Sequence, residues 1–277
     1  VNFPDFLWGV FWAAVALRVL TARVEHRLLY RRATLLHTLP EDVGLEAEEL
    51  EFCASDGCSL HGWWFAHPAA RGVLVICHGN AGNISDRLWM AQSLADLPMH
   101  LMLFDYRGFG KSRGIPREAG TERDVRAALE LARQKWKGPG TAPIVLLGRS
   151  LGGAVALQAV DEPGILALIL ESTFTSVVEM GERFYPWLLP RLFCLNRYPS
   201  DQRIQKAQVP VLVVHSPEDE VIPYDMGERL YALAPRPWRF IRLAGLHDEA
   251  GWVGCPAYAA AIRELVLKVT PDAPLSA

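Results

Sequence analysis

The segment Gly148-Arg149-Ser150-Leu151-Gly152-Gly153 directly follows the apolar run Ala142-Pro143-Ile144-Val145-Leu146-Leu147. A strand that ends in Gly-x-Ser-x-Gly and gives way at once to a helix builds a nucleophile elbow. The turn is so tight that the flanking glycines must lack side chains where the backbone approaches itself. Ser150 is then left protruding at the carboxyl end of the strand. The helix that begins at Leu151 points its amino terminus at the same place, where free N–H groups and the helix dipole favour a developing oxyanion. The strand before and the helix after separate this reading from a Gly-rich turn, which is what the bare pentapeptide usually marks.

The rest of the chain supplies the sheet that such an elbow needs. Its 277 residues suit one large α/β domain, and 51% hydrophobic content is ample for a buried parallel sheet. Continuous apolar runs predict strands at 72–77, 100–105, 142–147, 166–171, 209–215 and 238–243, with helices at 84–97, 117–136, 151–160, 225–234 and 256–269. An antiparallel hairpin over 49–54 and 59–66 precedes them. A two-residue turn at Asp56-Gly57 would pair Ser55 with Cys58 and set Cys53 opposite Leu60. The expected fold class is therefore α/β: an eight-stranded, mostly parallel sheet flanked by helices, with its active loops at the carboxyl edge. The connection 176–206 is too long for a plain crossover and is expected to form a small helical lid. Within it, Phe184, Tyr185, Trp187 and Leu188 are candidates for lining a substrate pocket, with plain packing as the alternative.

Residues 1–32 stand apart from the catalytic domain expected over 33–277. Phe6 to Leu17 is wholly apolar, Arg18 interrupts the run, and Leu17, Leu20, Val24 and Leu28 share a helical face while Arg18, Arg23, Arg27, Arg31 and Arg32 supply charge. This pattern predicts a short membrane anchor or a membrane-interface helix; the alternatives are packing on its own domain or mediation of a homo-oligomer. The cationic flank predicts a cytoplasmic catalytic domain, and five unframed cysteines agree with a reducing compartment. A soluble cytoplasmic protein is the alternative. A secretory signal is disfavoured, since no basic segment leads the apolar run and no small-residue cleavage site follows it. The balance of 28 basic against 31 acidic residues, with no zinc-knuckle spacing and no phosphate loop, argues against a nucleic-acid partner.

A serine hydroxyl is a weak nucleophile until a histidine takes its proton, and that histidine needs an acid to fix its tautomer. In this architecture the chain order is Ser, acid, His, each on a loop after a strand. The strand at 209–215 runs into Ser216-Pro217-Glu218-Asp219-Glu220, where Asp219 is placed by the short turn, while Glu218 and Glu220 are expected to face solvent. His247, just past the last strand, is the only histidine of eight that follows Asp219. The oxyanion donors are expected to be the N–H of Leu151 and, in the loop His78-Gly79-Asn80-Ala81-Gly82-Asn83, that of Asn80, with Ala81 as the fallback. Asn83 or Ser85 reads as a helix N-cap. Asp105 and Arg107 read as structural hydrogen-bonding residues.

These segments resemble a known family. The loop at 78–83, the string Asp105-Tyr106-Arg107-Gly108-Phe109-Gly110-Lys111-Ser112, the elbow, Glu171-Ser172-Thr173-Phe174-Thr175-Ser176 and Asp219 four residues after His215 are similar, in combination, to the α/β-hydrolase fold superfamily. Within it the chain resembles the branch of BEM46-like, ABHD13-like and ABHD17-like serine hydrolases, over about 28–269. The resemblance implies a triad of Ser150, Asp219 and His247 and oxyanion donors at Asn80 and Leu151. Family members often carry an amino-terminal membrane anchor, and some relatives remove acyl chains from cysteine thioesters.

The expectation is thus an acyl hydrolase working through an acyl-enzyme, with no metal or organic cofactor. A carboxylesterase for hydrophobic acyl groups comes first, and an acyl-thioesterase, depalmitoylase or lipase-like lipid hydrolase second. A serine peptidase is a minor alternative. An inactive hydrolase scaffold serving as a membrane-binding module is another, but it predicts a broken triad, whereas all three positions are filled.

Overall fold

The computed structural model describes residues 3–248 and 255–271, with side chains from Asp5. One eight-stranded sheet runs through them: β1 (Glu48–Cys53), β2 (Ser59–Phe65), β3 (Val73–Cys77), β4 (His100–Asp105), β5 (Ile144–Arg149), β6 (Ile165–Glu171), β7 (Val211–His215) and β8 (Pro237–Arg242). The spatial order is β8-β7-β6-β5-β3-β4-β2-β1, and β2 alone runs against the direction of the other seven. The helices in chain order are α1 (Phe3–Leu29), α2 (Leu88–Leu94), α3 (Glu118–Lys135), α4 (Leu151–Leu157), α5 (Val177–Phe184), α6 (Pro190–Phe193), α7 (Ser200–Arg203), α8 (Tyr224–Leu233) and α9 (Pro256–Val269).

The continuous apolar runs are explained by two cores, one on each face of the sheet. Val73, Val75 and Cys77 of β3 pack with α3 and α4, whereas Leu74 and Ile76 face α2 and α9. Alternate residues on a strand point to opposite faces, so a strand covered on both sides has no position left for a polar side chain. Next to β3, Ile144 and Leu146 of β5 join the first core and Val145 and Leu147 the second.

Three local expectations are corrected. The hairpin register is one residue off: Cys53 pairs with Ser59, and Ala54 N–H donates to Cys58 C=O at 2.9 Å. The loop is therefore Ser55-Asp56-Gly57, and Gly57 at φ +79° closes it in the left-handed region that glycine occupies without penalty. Cys53 and Cys58 remain free thiols. The helix expected over 84–97 is a 3-10 turn, Ile84–Arg87, running into α2; Asn83 caps it by accepting the Ser85 N–H at 2.9 Å. The helix expected to end at 160 stops at Leu157.

The connection at 176–206 folds as α5, a 3-10 turn at Pro186–Leu188, α6, α7 and a second 3-10 turn at Ile204–Lys206. This lid receives the last turns of α1. Thr21 donates to the Leu188 carbonyl at 3.1 Å, and the buried Glu25 carboxylate accepts the N–H groups of Leu195 (2.8 Å) and Asn196 (2.7 Å). The remainder of α1 is different. Phe6, Trp8, Phe11, Trp12, Val19 and Leu20 are all exposed, and α1 is long and apolar enough over Asp5–Leu29 to cross a membrane.

Past α1 the chain forms a two-residue parallel bridge, Arg31–Arg32 with Ala81–Gly82. The helix is thereby tied to the loop that follows β3.

Candidate active site

Ser150 occupies the turn between β5 and α4 with φ +55° and ψ −121°, a conformation that costs a non-glycine residue about 1–3 kcal/mol. Its surroundings hold it there: Ser150 N–H donates to Glu171 C=O at 2.8 Å, and the Thr173 hydroxyl donates to Ser150 C=O at 2.7 Å. The glycine requirement is steric. A Cβ on Gly152 would overlap the Cys77 carbonyl, and one on Gly148 would overlap the backbone of Gly152.

His247 lies 97 residues further along the chain, and its Nε2 sits 3.1 Å from Ser150 Oγ. Its Nδ1 is 2.7 Å from Asp219 Oδ2. The other Asp219 oxygen accepts the N–H groups of Val221 (3.0 Å) and Ile222 (2.7 Å), while His215 Nε2 stands 3.3 Å from Oδ2. Burial alone would raise this carboxyl. The hydrogen bonds from His215 and His247, the charge of His247 and the Ile222 N–H outweigh it and hold Asp219 well below the usual carboxylate range. An acid locked in its charged form can fix the His247 tautomer and stabilise an imidazolium.

Several residues that sequence reasoning passed over hold the histidine loop. Arg149 Nη2 donates to His247 C=O at 2.6 Å, and Glu220 accepts the His247 N–H at 2.9 Å, so the backbone of His247 is gripped on both sides. Arg149 is itself set by Glu171 (Nε to Oε1, 2.9 Å), whose other oxygen accepts from Tyr258 at 2.8 Å. Glu218 takes the Gly245 N–H at 3.1 Å, and the Ser216 hydroxyl donates to Gly245 C=O at 2.6 Å. Glu218 and Glu220 are exposed as expected, yet each also fastens the loop of His247. The available signal was Glu171: a carboxylate closing a wholly apolar strand must be paired.

Leu151 is the first residue of α4, where a backbone N–H has no acceptor within the helix. Asn80 faces it from the loop after β3, and its side-chain amide donates to Leu28 C=O at 2.7 Å, fixing that loop against the end of α1. Gly79 passes so close that its Cβ would lie 3.6 Å from Ser150 Cβ. Asn80, Ser150 and Leu151 share the wall of a cleft of about 330 Å³ with Phe184 and Tyr185 of the lid. The other two lid candidates do not join them. Trp187 points outward at 65% exposure, and Leu188 is buried between the lid and α1. A larger cavity, about 810 Å³, lies on the opposite flank of α1 and holds none of these groups. Cys77, directly beneath the elbow, is no rival nucleophile, since burial pushes its thiol up to about 12. Among the described residues no group of three or more His, Cys, Asp or Glu side chains could hold a metal ion.

Comparison with known proteins identifies the family. Alpha/beta hydrolase domain-containing protein WAV2 of Arabidopsis thaliana is 34% identical over 255 residues, covering 84% of this chain and 82% of the relative. The chain belongs to the α/β-hydrolase family. Residues 68–198 of this α/β-hydrolase match the family described as serine aminopeptidase, S33. Protein bem46 of Schizosaccharomyces pombe is 36% identical over 70% of this chain and 68% of its own length. Among solved structures, the Pyrococcus furiosus esterase Pf2001 superposes with a TM-score of 0.71 over 88% of this chain and 98% of the esterase, at 16% identity. Est1E from Butyrivibrio proteoclasticus, solved with ferulic acid, gives a TM-score of 0.65 over 79% of this chain and 98% of its own, at 20% identity. At these identities the likeness speaks for the fold.

Proposed function

We propose that this α/β-hydrolase is a serine carboxylic-ester hydrolase that acts through an acyl-enzyme on substrates with hydrophobic acyl groups. The observation that carries the reading is the continuous relay from Asp219 Oδ2 through His247 to Ser150 Oγ, with links of 2.7 and 3.1 Å. Ser150 Oγ attacks the substrate carbonyl carbon as His247 Nε2 takes its proton. The carbonyl oxygen, now an anion, is held by the N–H groups of Asn80 and Leu151. Collapse of this intermediate expels the alcohol, which receives the proton from His247. Water, deprotonated in turn by His247, then releases the acid and restores Ser150.

A thioester enters the same sequence with a thiol as leaving group, and the mostly apolar cleft wall favours such acyl substrates over charged ones. On the same reading α1 holds the catalytic domain at the cytoplasmic face of a membrane. Residues 5–20, most of them exposed, extend over about 24 Å at the helical rise of about 1.5 Å per residue. That approaches the hydrocarbon thickness of about 30 Å, with Arg18 at its domain end able to reach the interface.

Hydrolysis of p-nitrophenyl esters from acetate to palmitate, beside palmitoyl thioesters and an aminoacyl anilide, tests the activity. Ser150→Ala should lower the rate by about 10⁴-fold or more and abolish labelling by a fluorophosphonate. A Ser150→Ala protein with full activity would sink the mechanism, and turnover of the anilide alone would make the protein a peptidase. Flotation with vesicles tests the anchor: replacing Trp8, Phe11 and Trp12 together by Ser should move the protein to the soluble fraction.

A further inference from the structure

Two cavities meet beneath the lid. The cleft over Ser150 shares Leu28, Leu29, Val177, Met180 and Tyr185 with a narrow slot of about 90 Å³ that continues between α1 and the lid, past Val24 and Leu188 to Thr21. The slot presents no polar surface. Three polar side chains along its edge are engaged elsewhere: the Thr21 hydroxyl by Leu188 C=O, the Glu25 carboxylate by Leu195 and Asn196, and the Cys194 thiol by Asn196 C=O at 3.1 Å. Thr21, Val24 and Leu28 follow the i, i+3, i+7 spacing of a single helix face. The slot therefore leaves Ser150 toward the amino terminus of α1 and follows the helix for about 10 Å. Beyond Thr21 the same helix exposes Leu20, Trp12 and Phe11.

We infer that this slot binds the distal part of a long unbranched acyl chain, whose carbonyl carbon lies at Ser150 and whose methyl end runs antiparallel to α1 toward its exposed apolar turns. The inference rests on the esterase reading and adds the substrate class: single aliphatic chains of membrane-resident esters or thioesters. An aliphatic chain asks for no polar partner, and each further methylene buried there raises kcat/KM by about fourfold. In this arrangement α1 is a wall of the acyl site. The chain end stays directed at the bilayer while the carbonyl is lifted to Ser150.

The test uses the full chain in detergent micelles and the ratio of kcat/KM for palmitoyl over butyryl p-nitrophenyl ester. Val24→Trp fills the slot and should lower that ratio at least tenfold. Val24→Ala widens it without a clash and should raise the ratio about twofold. Val19→Trp places the same bulk on the opposite flank of α1, beside the larger cavity, and should leave the ratio unchanged. A ratio unmoved by both Val24 substitutions, in proteins that still hydrolyse butyrate, overturns the slot and leaves the esterase reading standing. If the wild type hydrolyses no ester of the series and Ser150 takes no fluorophosphonate, the esterase reading falls, and the inference with it.

Discussion

Arg149 donates from Nη2 to the backbone carbonyl of His247 at 2.6 Å, so the residue beside the elbow serine in sequence holds the loop of the imidazole that faces it in space. The same guanidinium is ion-paired with Glu171, which is fully buried at the end of β6 and also receives the Tyr258 hydroxyl. One buried network thus connects β5, β6, α9 and the loop after β8. It converts the rigidity of the sheet into the position of one histidine.

Breaking that network separates stability from turnover. Arg149→Leu leaves the Glu171 charge buried without its partner, which should cost about 3–5 kcal/mol in urea unfolding. Adding Glu171→Leu should recover most of that loss. Ester turnover should stay at least tenfold below wild type in the double variant, because His247 C=O still lacks its donor. Full recovery of both quantities would confine Arg149 to a structural role.

Asp219→Asn should lower kcat/KM by about 10³ to 10⁴-fold with little change in the folded structure, since an amide favours the wrong His247 tautomer. The wild-type carboxyl is held below its ordinary value against the raising effect of burial, by His215, His247 and the Ile222 N–H. A depressed carboxyl contributes stability that is complete above its unfolded pKa of about 3.9 and is lost as pH falls through the folded value. Protonation of Asp219 should therefore shape neither the rate nor the stability between pH 5 and 9. A variant within tenfold of wild type would remove Asp219 from the relay.

Asp56 offers a pH test away from the cleft. Hydrogen bonds from Arg107 (2.8 and 3.1 Å) are the main cause that holds its carboxyl at about 2. Its ionisation should stabilise the fold fully above about pH 4, and that contribution should vanish as pH falls to about 2. Wild type and Asp56→Asn, compared by urea midpoints from pH 2 to 6, should differ at the upper end and converge at the lower. A constant difference would mean that the ion pair does not contribute.

Glu25 joins α1 to the lid through the N–H groups of Leu195 and Asn196 and the Asn196 amide. Glu25→Ala strands those donors and should cost about 2–3 kcal/mol. Hydrogen exchange at residues 195 and 196 should accelerate, while exchange in β5 changes no more than the global stability does. Equal acceleration everywhere would show that α1 and the lid are not a separate unit.

What the sequence determines here is local and periodic. Apolar runs mark the central strands β3 to β7 because a strand covered on both faces admits little else, and α9 at Pro256–Val269 was legible to the residue. Chain order after the elbow singled out Asp219 and His247, two positions that the folded chain brings within hydrogen-bonding distance of the Ser150 relay. Tertiary structure decided the rest. The hairpin register turned on the loop taking in Ser55 beside Asp56 and Gly57, a choice between two- and three-residue turns that the Asp-Gly pair leaves open. Phe184 entered the cleft and Trp187 did not, although only two residues part them, because the short helical turns of the lid send neighbours in different directions. The hold of Arg149 on His247, and of Glu25 on the lid, joins residues about a hundred or more apart in the chain. Such pairs form because burying a charge demands a partner, and only the folded chain specifies which partner is within reach.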